Sequence, residues 1–147
     1  MNPETDPAVS AKAAVAAADQ ALEHAFGRRR PDEAEAAGQA LAAAESTFAD
    51  AVPRSLSGLH LKTETLAGFF AYTEAGDTAT AEGARHAMRH LRAIDACGIP
   101  GCEAGIDALA AILAALIAGD TLTPEGARHA LRHLEAIDAA AVGAFAP

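Results

Sequence analysis

Apolar residues recur along this chain at every third or fourth position, and glycine and proline interrupt the recurrence at regular intervals. At about 100° per residue, the stretch after Thr80 collects Ala84, Ala87, Met88, Leu91 and Ile94 on one side. The stretch after Thr123 does the same with Ala127, Ala130, Leu131, Leu134 and Ile137. Both patterns predict amphipathic helices with a buried stripe. The stretch after Glu103 is apolar almost all round, with Ile106, Leu109, Ile112, Leu113, Leu116 and Ile117 spaced by alanines. Such a helix is expected at the centre of a bundle or beneath a partner. No segment alternates with period two among β-branched residues, so no strand is predicted.

The breaks between these runs carry helix start and stop chemistry. Asp6-Pro7 reads as an N-cap followed by a first-turn proline, and Gly27 as a stop. Pro31, with Asp32 and Glu33 behind it, opens a second helix that ends before Pro53. Ser57 is the predicted cap of a third, stopped at Gly76, and Thr80 caps a fourth, stopped at Gly98. Glu103 opens a fifth that ends at Gly119, and Thr123-Pro124-Glu125 opens a sixth that ends near Gly143. The fold class is therefore all-α, a compact bundle of about six helices in one domain spanning 1–147.

Part of this bundle is written twice. Residues 75–96 match the segment 43 positions further on at about 18 of 22 places, far above chance even for an alanine-rich chain. Each copy is a helix, a Gly-Asp-Thr-x-Thr turn and a second helix, the αα-hairpin in which one apolar stripe covers another. Hairpin repeat 1 covers 57–98 and repeat 2 covers 100–143. Residues 6–52 share the layout without the side-chain identity, as a degenerate third hairpin would. Within the repeats, the turn and second helix are nearly unchanged while the first helix has diverged, which implies different surroundings for the two first helices. The spacing fits no tetratricopeptide or ankyrin period, so a bundle is expected rather than a solenoid.

Composition narrows the partners. Alanine fills about 29% of positions and tryptophan none, so the helices form readily but each contact buries little area. A net charge of −9 opposes phosphate backbones and anionic lipid surfaces, which argues against nucleic-acid and membrane partners. The Arg28-Arg29-Arg30 run lies between two helices beside Asp32 and Glu33 and reads as a solvated turn. The polar, acidic start is no secretory signal, and the longest near-apolar run, Ala108 to Ala118, is too short to span a bilayer. Cys97 and Cys102 lack Cys-x-x-Cys spacing, so free thiols in a cytoplasmic protein are expected. Many arginines, few lysines and abundant alanine fit a bacterial gene.

One constellation carries candidate chemistry. His86 and His90, and again His129 and His133, stand four residues apart, one helical turn, with Glu82 and Glu125 a turn earlier on the same side. Two such pairs brought together would offer four nitrogens and two carboxylates to Zn²⁺, Ni²⁺, Cu²⁺ or Co²⁺. The Glu-x-x-His spacing of di-iron bundles is absent. Against a metal, each pair is flanked by arginines, and the imidazoles fall beside the apolar stripe, as border residues of a helix do. No phosphate loop, zinc-protease motif or catalytic triad is recognisable. The expectation is a non-enzymatic bundle acting through protein–protein contact or homo-oligomerisation. The alternatives are a transition-metal binder and a small-ligand pocket near Phe69, Phe70 and Tyr72.

Overall fold

The computed structural model describes residues 5–145 and shows six helices, with no strand among the described residues. They are α1 (Pro7–Gly27), α2 (Pro31–Asp50), α3 (Leu56–Glu74), α4 (Ala81–Ala96), α5 (Glu103–Ile117) and α6 (Pro124–Ala144). None of these helices is long and apolar enough to cross a membrane. The all-α bundle is as the periodicity predicted.

The caps explain where each helix begins. Thr80 and Thr123 each accept a hydrogen bond from a first-turn amide, that of Gly83 and Gly126, at 3.0 Å. The exits of α3 and α5 also match. Gly76 and Gly119 take positive φ values of 105° and 102°, and the next amides reach back, Asp77 to the Tyr72 carbonyl and Asp120 to that of Ala115. The third cap differs from expectation. Ser55, not Ser57, caps α3, accepting from the Gly58 amide at 3.1 Å. The reason is tertiary: the Ser55 hydroxyl also donates to Asp6 at 2.6 Å, which holds it at the helix mouth.

Asp6 ties the chain's start to this point. Its buried carboxylate accepts from the Ala8 amide at 2.7 Å, capping α1, and from the Arg54 amide at 2.8 Å, at the threshold of α3. Burial opposes its ionisation, but the Ser55 hydroxyl and the Arg54, Ala8 and Val9 amides together outweigh it and hold the carboxyl below its ordinary value. Gly58 is required beside it, since a Cβ there would lie 2.3 Å from Asp6 Oδ2.

Helices α3 to α6 close a four-helix ring in which α3 packs on α4 and α6, and α5 packs on the same two. The contacts pair α3 with α6 as they pair α5 with α4. The predicted stripes form its core, with Ala84, Leu91, Ile94, Ala127, Leu134 and Ile137 buried and Met88 and Leu131 half-buried. Of the two places expected for α5, the centre of the bundle is corrected: Ile106, Leu109, Leu113 and Leu116 face the core, while Ala104, Ala111 and Ala114 are exposed. Its outer side is apolar only through alanine, which has little area to bury.

Helices α1 and α2 form a hairpin that meets the ring only at its base, α1 on α3 and α2 on α4. Ala8, Ala11 and Phe48 make a second small core there. Between residues 12 and 44 only Ala25 is buried, so roughly 25 Å of paired helix carries almost no core of its own.

Candidate functional site

The two histidine pairs lie in different surroundings. On α4, the end of α2 closes over the pair. Phe48 stacks edge-on against His90 at a centroid distance of 4.9 Å, and His90 is fully buried. From α3, the buried ammonium of Lys62 reaches the same point. It donates to the Phe48 carbonyl, to the Ala49 carbonyl at 3.0 Å, and to His90 Nδ1 at 3.1 Å. All three donors are used, and two of them close the last turn of α2, where the helix dipole is negative. Burial lowers the Lys62 pKa to about 8. Burial, and then the charge on Lys62, pushes His90 down to about 3, so its imidazole is neutral and Nδ1 is the acceptor. Its Nε2 has no hydrogen-bond partner among the described residues. His90 is therefore no border residue. The expectation failed because helical geometry places His90 relative to its own stripe and says nothing of a helix laid over it from outside.

Around this anchor α4 grips α2 with arginine. Arg89 binds Asp50 through two bonds, Nε to Oδ1 at 2.9 Å and Nη2 to Oδ2 at 2.7 Å. Nη2 also donates to the carbonyl of Ser46 at 2.9 Å and to its hydroxyl at 2.8 Å. The bonds from Arg89 hold the Asp50 carboxyl below its ordinary value. His86 is half-buried beside His90, rings 5.1 Å apart, and burial followed by the Arg89 charge lowers its pKa.

On α6 the same residues lie open. Arg132 stands where Arg89 stands, His133 where His90 stands, and neither α1 nor α2 packs on α6. Gly105 replaces Lys62, and a Cβ there would lie 3.7 Å from His133 Nδ1. His129 is exposed, His133 half-buried, and their Nε2 atoms are 3.2 Å apart with ring centroids at 4.6 Å. Each pair is thus assembled within its own helix, but the two pairs are not brought together. Among the described residues no three His, Cys, Asp or Glu side chains meet as a metal set, and Glu82 and Glu125 are both exposed.

Other chemistry is muted. Burial raises the pKa values of Cys97 and Cys102, which opposes thiolate formation, and both thiols are free. Beside Phe69 and Tyr72 there is a shallow cleft of about 220 Å³ that also takes in Thr73 and Asp77. Sequence reasoning missed Lys62 and Asp6 as buried polar anchors. A signal for Lys62 was available: it is a lysine within one turn of Leu59 and Leu66, inside the stripe of α3. Compared with models of protein families, with curated proteins and with solved structures, the chain matches none.

Proposed function

We propose that this chain is a non-enzymatic protein-interaction module whose α6 face receives the acidic C-terminal turn of a partner helix, as α4 receives α2. The observation that carries this reading is the unequal cover on two near-identical surfaces. Arg89 and His90 seat Ser46, Phe48 and Asp50, while Arg132 and His133 present the same groups with neither α1 nor α2 upon them. Local helix chemistry gives no reason for α6 to repeat Arg-His-x-x-Arg-His, since exposed positions accept most helix formers. A guanidinium is suited to a carboxylate and a carbonyl at a helix end, because its fork matches both. The partner is another protein or a second copy of the chain.

A capped peptide of residues 38–51, added to the full chain, supplies a helix end of known chemistry. The expected result is selective perturbation of the His129 and His133 imidazole resonances, lost in Arg132→Glu. Light scattering across a concentration series reads self-association. A monomer at all concentrations together with no peptide response would refute the reading.

A metal reading remains attached to the same face through one observation. Two nitrogens 3.2 Å apart match two ligands on one ion at about 2.1 Å each, with an angle near 100°. Zn²⁺, Ni²⁺, Cu²⁺ or Co²⁺ held by His129 and His133 would keep open positions for water or for a partner's carboxylate. Calorimetry with Zn²⁺ and Ni²⁺ tests this. Binding abolished by His129→Ala supports it, and no binding, or binding indifferent to that change, refutes it.

A further inference from the structure

The end of α2 is fastened to α4 by different forces from those that close the ring. The ring core runs from Leu59 to Ala141 and includes none of Ala8, Ala11 and Phe48, which cluster separately under the hairpin. Apolar clusters with no shared member open separately more readily than one continuous core does. Phe48 is the one large apolar side chain that α1 and α2 bury among the described residues. The others, Ala8, Ala11, Ala25 and Ala49, have little area to lose. Across α4 and α3 the hold is mostly polar, from Arg89 to Asp50 and Ser46 and from Lys62 to the Phe48 and Ala49 carbonyls. Water replaces such bonds when they part, so their net hold is modest.

Two groups are worse off in the closed arrangement. Lys62 carries its charge fully buried, and His90 Nε2 is buried with no hydrogen-bond partner among the described residues. Both side chains lie against Phe48, Lys62 on its ring and carbonyl and His90 on its ring, so lifting α2 opens them to water. The chain leaves α2 through residues 51–55, none of them helical. Asp6 holds the Arg54 amide and the Ser55 hydroxyl beside this link, and those bonds can persist while Phe48 and Asp50 depart.

We propose that α2 is a removable cover: the α1–α2 hairpin swings from α4 about the Asp6 clasp and uncovers there a second seat for the acidic C-terminal turn of a partner helix. What the seat receives rests on the docking reading; the swing itself does not. The contact now in place defines the occupant. Arg89 takes a last-turn carboxylate and the Ser46 carbonyl, and Lys62 takes two more carbonyls of the helix end. Gly105 stands where Lys62 would be on the α6 side, so the α4 seat is the better equipped of the two. In the closed chain α2, being tethered, fills that seat at high effective concentration, an autoinhibitory contact.

Acetylation of the full chain with a succinimidyl ester, followed by mass spectrometry, tests the swing. The chain has two lysines, exposed Lys12 as the reference and Lys62, which is reached only when α2 lifts. Arg89→Ala is expected to raise the Lys62 rate about fivefold. Ile137→Val loosens the ring core to a similar degree but is expected to leave the Lys62 rate unchanged, because the ring stays intact in the open form. Equal acceleration by the two substitutions means that Lys62 is reached only through unfolding of the whole chain, and overturns the proposal. A Lys62 rate indifferent to Arg89→Ala also overturns it. The 38–51 peptide tests the seat in a Phe48→Ala chain, whose cover is weakened. Perturbation of the His90 resonances, at least tenfold weaker in the wild-type chain, is expected. A response at His129 and His133 without one at His90 refutes the second seat alone. No response on either face refutes the docking reading and the second seat together, whatever the acetylation shows.

Discussion

Replacing Lys62 with methionine tests the anchor that fastens the α1–α2 hairpin to the ring. Methionine has similar length and no charge. In the wild-type chain the Lys62 pKa falls from 10.5 to about 8, so folding carries a cost of about 3 kcal/mol for burying the ammonium at neutral pH. The sign follows from the protons bound. Below pH 8 both states hold the proton and the cost is present in full. Between pH 8 and 10.5 the unfolded chain holds a proton that the folded chain has released, so stability rises with pH by about 3 kcal/mol. Methionine removes that cost but strands two acceptors, the Ala49 carbonyl and His90 Nδ1, at about 1–3 kcal/mol each. The Phe48 carbonyl keeps the Ala51 amide at 3.2 Å. The two effects nearly balance at pH 7, where Lys62→Met is expected to shift stability by no more than about 3 kcal/mol. At pH 10.5 the balance is gone, and the variant is expected to be less stable by about 2–6 kcal/mol. Urea unfolding followed by circular dichroism across this range reads both chains. Parallel pH profiles, with the same slope between pH 8 and 10.5, would refute the buried ammonium.

Other consequences follow from the base of the hairpin. Asp6→Ala removes an N-cap and a set of bonds to a buried carboxylate, a loss of about 3 kcal/mol by urea unfolding. Because the Asp6 pKa is lowered, its contribution is present above about pH 4 and fades as pH falls through the folded value, so the variant's deficit shrinks in acid. Gly58→Ala drives a Cβ into the Asp6 carboxylate and is expected to cost about 1–3 kcal/mol, much less in the Asp6→Ala background. Arg89→Ala is expected to destabilise by about 1 kcal/mol and Arg132→Ala not measurably, since only Arg89 holds another helix.

The helices and the ring core were legible because their causes are local. Asp6, Thr80 and Thr123 cap through their own neighbours, and the Leu91–Ile94 and Leu134–Ile137 edges follow from periodicity alone. The duplication was legible as identity. What was not legible was which copy of a repeated surface would be covered. His90 and His133 have nearly the same neighbours in sequence, yet one is sealed and one is not, because α2 returns from more than 30 positions away to lie on α4. The clue lay in the diverged first helices. Lys62 has a job only where the carbonyl end of α2 arrives, and Gly105 occupies the place where no such end does. The α5 exterior misled for another reason: alanine counts as apolar in a periodicity reading but contributes little to burial.

Carbethoxylation of the folded chain, with each histidine followed by mass spectrometry, asks most directly whether the repeated surfaces are unequally covered. His129 should react readily and His90 should stay protected until the chain is unfolded. Matching reactivity at the two positions, whether both modified or both spared, would contradict the seating of α2 on α4 alone.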